Sequence, residues 1–191
     1  NKTTNLITRT IVPIIYQSNV FGEGSEQFGL GDTVASQFIS PKQPKNGVTY
    51  GYGVAELIPT ATDSKLGGKK WGLGPTAVAL KQEGGVTYGA LINHIWSIAG
   101  DSKRPDVSST FINPFYSVTN KNSFTLSASL EETYDWESKR STMPIIVGFS
   151  QVAKLNGIPT SFGVSAKWFA ARTASAPRWG IRAVYTLLFP L

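Results

Sequence analysis

The sequence contains no cysteine, one histidine, one methionine and no apolar run of 18 residues. Without cysteine there is no disulfide scaffold and no thiolate metal site, although the cellular compartment stays open. A single histidine, His94, excludes a metal centre built from several imidazoles, so neither metal nor cofactor is expected. The missing apolar run, with a mean hydropathy of -0.07, excludes transmembrane helices. It does not exclude a transmembrane barrel, because there only alternate residues face lipid. No charged segment followed by an apolar one opens the chain, so a signal peptide is expected to have been removed already.

What the sequence does contain is 41% apolar residues, 12% aromatics and 19 glycines in 191 positions, a composition suited to many short strands in a single domain, 1–191. Helical periodicity is hard to find, whereas period-two alternation interrupted by turn residues runs the whole length. Strands are predicted near 5–17, 28–40, 48–60, 71–82, 86–99, 109–119, 123–136, 142–154, 159–171 and 179–190. The clearest alternation sets Phe124, Leu126, Ala128 and Leu130 against Ser123, Thr125, Ser127, Ser129 and Glu131. One polar and one apolar face also suit a soluble sandwich, so alternation alone does not decide.

The connections carry more information. Tight ones hold turn chemistry, at Asn46-Gly47, Gly84-Gly85, Asn120-Lys121-Asn122 and Asn156-Gly157. Between them fall longer polar loops near 18–27, 61–70, 100–108, 137–141 and 172–178. Short and long alternate throughout, as in an up-and-down barrel with all its short turns at one end. A weak repeat agrees. Gly47-Val48-Thr49-Tyr50-Gly51 and Gly85-Val86-Thr87-Tyr88-Gly89 open strands of one direction, while Phe28-Gly29-Leu30-Gly31, Trp71-Gly72-Leu73-Gly74 and Trp179-Gly180-Ile181 each follow a long loop. Phe28, Trp71, Trp179, Tyr185 and Phe189 are the expected interfacial aromatics.

The net charge of +6 invites a nucleic-acid reading, but its distribution opposes one. The short-turn end sets Lys2, Lys42, Lys45, Lys81, Lys121 and Lys154 against Glu83, a net of +5, and the long loops carry a net of +3. Strand bodies hold Arg9, Lys167 and Arg182 against Asp32, Glu56, Glu131, Glu132 and Asp135, a net of −2. Basic rims suit lipid and lipopolysaccharide phosphates, whereas nucleic-acid binding calls for a basic face interleaved with stacking aromatics. A cation facing lipid at mid-membrane costs roughly 2–4 kcal/mol. Arg9, Lys167 and Arg182 are therefore expected to face a lumen, partnered by Glu56 and Glu131. Glu56 and His94 occupy equivalent positions six residues beyond Tyr50 and Tyr88, and are expected at one lumenal level, roughly 10 Å apart. This placement predicts weak cation preference, or none, for any conduction.

Catalytic signals stay at background. A serine, His94 and a carboxylate can be drawn from Ser97, Ser127, Ser129, Glu56 and Glu131, but no nucleophile elbow is present. The Gly-x-Gly pairs at Gly29/Gly31, Gly51/Gly53 and Gly72/Gly74 lie inside strands with no helix after them, so they are not phosphate loops. No enzymatic activity is expected.

Several segments are more distinctive: Leu6-Ile7-Thr8-Arg9-Thr10-Ile11-Val12-Pro13, Pro59-Thr60-Ala61-Thr62-Asp63, Lys70-Trp71-Gly72-Leu73-Gly74-Pro75-Thr76, Asn93-His94-Ile95-Trp96-Ser97 and Leu187-Leu188-Phe189-Pro190. Through them nearly the whole chain resembles a family of bacterial proteins described as putative transporters or outer-membrane proteins of the phenol meta-cleavage pathway, some mislabelled neuromedin U. The resemblance implies an outer-membrane barrel of a Gram-negative bacterium with a channel-like role, and it names no catalytic residue. Members of that family carry further strands ahead of the segment matching Leu6 to Val12, which raises the count from about ten strands to twelve if the N-terminus is incomplete. Phe189 is similar to the C-terminal aromatic assembly signal of such barrels, displaced here by Pro190-Leu191.

The expectation is thus an all-β, up-and-down antiparallel transmembrane barrel in the bacterial outer membrane. Arg9, Glu56, His94, Glu131, Lys167 and Arg182 would line a passive route or binding site for a small solute. The alternatives are a structural barrel with a plugged lumen that interacts through its loops, which also leaves room for a homo-oligomer, and a lipid-modifying enzyme.

Overall fold

The computed structural model describes residues 3–155, 157–172 and 178–187, and these form antiparallel β-structure without helix. Phe189 of the expected aromatic set lies outside the described residues. The strands are β1 (Thr4–Ile11), β2 (Ile14–Ser18), β3 (Glu26–Leu30), β4 (Thr33–Pro41), β5 (Val48–Ile58), β6 (Lys70–Glu83), β7 (Val86–Gly100), β8 (Ser108–Thr119), β9 (Phe124–Leu130), β10 (Glu132–Asp135), β11 (Arg140–Leu155), β12 (Ile158–Ala171) and β13 (Trp179–Leu187).

Eleven of them make one sheet in the order β1-β4-β5-β6-β7-β8-β10-β11-β12-β13, with β9 paired to both β8 and β11. Since β10 has the same two neighbours, β9 and β10 are two halves of one interrupted strand, and Glu131 sits at the break. Sequential neighbours pair throughout the rest, so the connections are those of a meander. Among the described residues, β1 and β13 each have a pairing partner on one side only.

The two predicted strands at the N-terminal end are each split. Pro13 lacks an N–H and interrupts the first, and Gly31-Asp32 interrupts the second, giving a separate two-stranded sheet of β2 and β3. The Gly31 N–H still donates to the Pro13 carbonyl at 2.9 Å. One long hairpin is therefore kinked rather than broken, and residues 59–70 fasten the kink. Asp32 accepts from the N–H groups of Ala61 (3.2 Å) and Gly68 (2.6 Å), and the Thr60 hydroxyl donates to the Gly31 carbonyl at 3.0 Å.

Turn chemistry accounts for the tight connections. Glu83 pairs with Val86 across Gly84-Gly85, whose φ values of 57° and 84° fit a two-residue turn of type I′. Glycine is required for another reason at Gly53 and Gly74. A Cβ on Gly53 would overlap the Gln37 carbonyl oxygen, and one on Gly74 the His94 carbonyl oxygen. Neighbouring strands approach so closely there that the sheet can bend.

Candidate functional site

The register sorts side chains into two faces of unlike character. Along β4 to β7, one face carries Ser36, Phe38, Ala55, Gly72, Thr76, Leu91, Asn93 and Ile95, all buried. The other carries Ile39, Tyr52, Val54, Leu73, Ile92 and Trp96, all exposed. The sheltered face thus mixes small and polar residues with Phe38, Leu91 and Ile95, while the outer face is a bulky apolar surface, unlike a sheet with one face in water.

The exposed face is graded along the strands. All five tryptophans, Trp71, Trp96, Trp136, Trp168 and Trp179, stand at the end that carries the longer loops, each between 49% and 68% exposed. Tyr50, Tyr52, Tyr88, Tyr116 and Tyr185 are exposed toward the short-turn end. Of the expected interfacial aromatics, Trp71, Trp179 and Tyr185 join these two rows. Phe28, though exposed, lies on the β2–β3 hairpin outside the large sheet.

The charges of the strand bodies gather on the sheltered face. Arg182 of β13 donates two parallel hydrogen bonds to Glu131, at 2.7 Å and 2.8 Å, and the Lys167 ammonium of β12 lies 3.7 Å from the same carboxylate. The guanidinium of Arg9, on β1, interacts electrostatically with Glu131 and with Arg182. That interaction constrains the shape of the sheet. Strands β1 and β13 are nine steps apart in sheet order, about 43 Å if flat, at about 4.8 Å per step. Yet Arg9 of β1 and Thr133 of β10, six steps apart in that order, line one cavity of ≈ 200 Å³. The sheet is therefore strongly curled, with its first and last strands brought toward each other around the sheltered face.

Two prolines shape the surroundings of Glu131. Pro114 of β8 has no N–H for the carbonyl of Leu130, and the side-chain amide of Asn113 supplies the missing donor at 2.9 Å. On the other side the Glu131 N–H donates to the Pro144 carbonyl at 3.0 Å, beside a register shift between Met143 and Pro144. Pro144 has no N–H to return, so the ladder slackens and β9 and β10 separate at the residue that carries the carboxylate. Composition and charge counting missed Asn113. The available signal was the adjacent pair Asn113-Pro114 in the middle of a strand, where a proline needs a substitute donor.

A cavity of ≈ 200 Å³ adjoins Arg9. Ile11, Leu57, Ile95, Val107 and Phe111 give it an apolar wall, and Asn93, Ser109 and Thr133 are its polar points. Its lining comes from β1 round to β10, again a consequence of the curl.

Four of the six expected lumenal residues, Arg9, Glu131, Lys167 and Arg182, thus come together. Glu56 and His94 do not join them. Glu56 alternates with Tyr52 and Val54, and His94 with Ile92 and Trp96, so both stand on the exposed aromatic face. His94 packs against Trp96 with ring centroids 4.1 Å apart and planes tilted by 46°. Its Nδ1 is hydrogen-bonded to the Thr110 hydroxyl (2.7 Å), which also accepts from the Trp136 indole N–H at 2.8 Å. Ser108, at 3.5 Å from Nε2, is the nearest serine hydroxyl bonded to it, while Ser127, Ser129 and Glu131 belong to the opposite face. Glu132 likewise faces outward and accepts from Ser141 at 3.1 Å.

The sheltered charge balance changes accordingly. Asp32 serves the kink latch and Asp135 caps its own turn by accepting from Ser138. With Glu56 and Glu132 on the outer face, the strand-body count becomes three cations against three carboxylates, a net of zero. Within the cluster itself three cations face one carboxylate, a local net of +2. The premise of the expected cation preference changes with this, because Glu56 stands on the outer face opposite Leu73.

Away from this cluster, at the long-loop end of β6, Lys70 is buried and paired with Asp106 at 2.8 Å. Hydrogen bonds from Lys70 and Ser97 hold the Asp106 carboxyl below the usual aspartate range. At the short-turn end Lys81 pairs with Glu83 at 2.9 Å. No described helix is long and apolar enough to cross a membrane, and no described group of His, Asp and Glu could hold a metal ion. Comparison with protein-family models, with curated proteins and with solved structures finds no match to this chain.

Proposed function

We propose that the chain is an outer-membrane β-barrel that gives a small solute a passive route or a binding site through its interior. The observation that carries this reading is the contrast between the two faces. A soluble sheet that exposed Tyr52, Leu73, Ile92, Val147, Phe149 and Trp168 while sheltering Arg182, Lys167 and Glu131 would lose hydrophobic stabilisation and strand charges in its core. In lipid both placements become favourable. The tryptophan row at one end and the tyrosine row at the other match the two interfacial girdles of a membrane barrel. The curl of the sheet and its meander connectivity agree with closure through contacts beyond the described pairings. Rim lysines then meet lipid and lipopolysaccharide phosphates.

A second reading, a structural barrel with a filled interior, draws on a specific observation. Phe38, Leu91, Ile95 and Ile146 are nearly fully buried on the sheltered face, and barrels only slightly smaller than ten strands are filled by side chains. Planar-bilayer recording separates the two. Discrete conductance steps from purified, heat-modifiable protein are expected. Folded protein that inserts yet stays silent would favour the filled interior, and a compact state soluble without detergent would remove the membrane reading.

A further inference from the structure

We propose that the cavity beside Arg9 binds a small monocarboxylate with an apolar body, the guanidinium taking the carboxylate and the cavity wall taking the rest. This deepens the solute reading above and rests on it for its biological setting.

The argument begins with an imbalance. Glu131 is committed to Arg182 through both oxygens and is approached by Lys167. Among the described residues Arg9 has no ion-pair partner of its own. The cluster therefore keeps a net charge of +2, which repels a cationic ligand and attracts an anionic one. A guanidinium presents a planar fork that fits a carboxylate with two parallel hydrogen bonds.

The wall decides what the anion must be attached to. Ile11, Leu57, Ile95 and Phe111 offer no partners to a sugar or a polyphosphate, and desolvating such groups there is unfavourable. An alkyl or similar body loses nothing by entering. Size agrees: a cavity of about 150 Å³ holds benzene, so one of ≈ 200 Å³ admits a slightly larger body, such as that of hexanoate.

The test is calorimetric titration of detergent-solubilised, heat-modifiable protein with hexanoate, with hexylammonium as the charge-reversed control. Saturable binding of hexanoate and none of hexylammonium is expected. Arg9→Gln should weaken hexanoate binding at least about tenfold, and Arg9→Lys, which keeps the charge but loses the fork, should fall between. Equal binding of the two probes, no binding of hexanoate, or binding indifferent to Arg9→Gln overturns the proposal. The two-probe comparison on the unsubstituted protein needs no variant to fold. Conductance is read separately: a silent protein that binds hexanoate removes the route and keeps the site, and a conducting one that ignores hexanoate does the reverse.

Discussion

The side-chain amide of Asn113 donates to the Leu130 carbonyl at 2.9 Å, occupying the place in the ladder that Pro114 leaves empty. Removing that donor strands a partly buried carbonyl beside the Glu131 break. Asn113→Val is expected to destabilise the fold by about 1–3 kcal/mol, measured by urea unfolding in detergent. Adding Pro114→Ala should recover part of the loss by restoring a backbone N–H. If the double variant is no better than the single one, the substitution of side chain for backbone is not what stabilises this pair.

Glu131 and Arg182 form the strongest contact on the sheltered face. Arg182→Met leaves the carboxylate to Lys167 at 3.7 Å and should destabilise by about 1.5–3 kcal/mol, the range for hydrogen bonds to charged groups. Lys167→Met should cost less, since its contact is longer and single. The order of the two midpoints in one unfolding series decides between them.

Both glycine positions that let strands approach are legible as a pattern only when size is followed rather than polarity. Gly51, Gly53 and Ala55 alternate with Tyr50, Tyr52, Val54 and Glu56, and the small residues mark the sheltered side. Polarity at Glu56 and His94 points to the opposite face and is misleading there. A polar side chain near a strand end can stand on the outer face among tryptophans, as His94 does against Trp96 and Thr110. The alternation of short and long connections and the inward facing of Arg9, Lys167 and Arg182 were accessible, because charge in a strand body has few places to go. The strand number was not, since three of the ten expected strands are split. The split at Pro13 was signalled by the missing donor but hidden by apolar residues on both sides of it. The pairing of Arg182 rather than Arg9 with Glu131 was not accessible, since it depends on how tightly the sheet curls.

Conduction should favour anions, reversing the expectation from charge counting. Glu56→Gln is expected to leave the reversal potential under a salt gradient unchanged, because its carboxylate lies on the outer face. Arg9→Gln should move the potential toward cations. A cation-selective wild type, or a clear response to Glu56→Gln, contradicts this division of the faces.

Acid should loosen the long-loop end before the sheet. The Asp106 carboxyl is held low by Lys70, Ser97 and the Lys70 charge. A depressed value contributes stability above the ordinary aspartate range, and that stability is lost as pH falls through the lowered value, hence below about pH 4. The Ser97 hydroxyl also accepts from the Val107 N–H at 3.1 Å, so exchange at that amide reports the event. Protection of Val107 should fall in this window, and Asp106→Asn should abolish the pH dependence. Unaltered exchange through the whole range would place the control elsewhere.

Orientation gives a further test. Cysteines at Ser64 or Ser102, both exposed in the longer loops, should react with an impermeant maleimide on whole cells, whereas cysteines at Asn46 or Asn120 should not. The opposite labelling pattern inverts the orientation.

The kink latch has a mechanical meaning as well. Thr60, Thr62 and Asp32 tie residues 59–70 to both halves of the kinked hairpin, with the Leu30 N–H donating to the Thr62 hydroxyl at 2.9 Å and the Thr62 N–H to the Leu30 carbonyl at 3.1 Å. Two segments that would otherwise wander separately are thereby fused into one cooperative unit, which opens as a whole or stays shut. The β2–β3 arm is a braced spar rather than a tether. A foreign peptide grafted at its tip, within residues 19–25, would be presented at a fixed angle, whereas the same graft at 60–63 would cut the brace and set the arm loose.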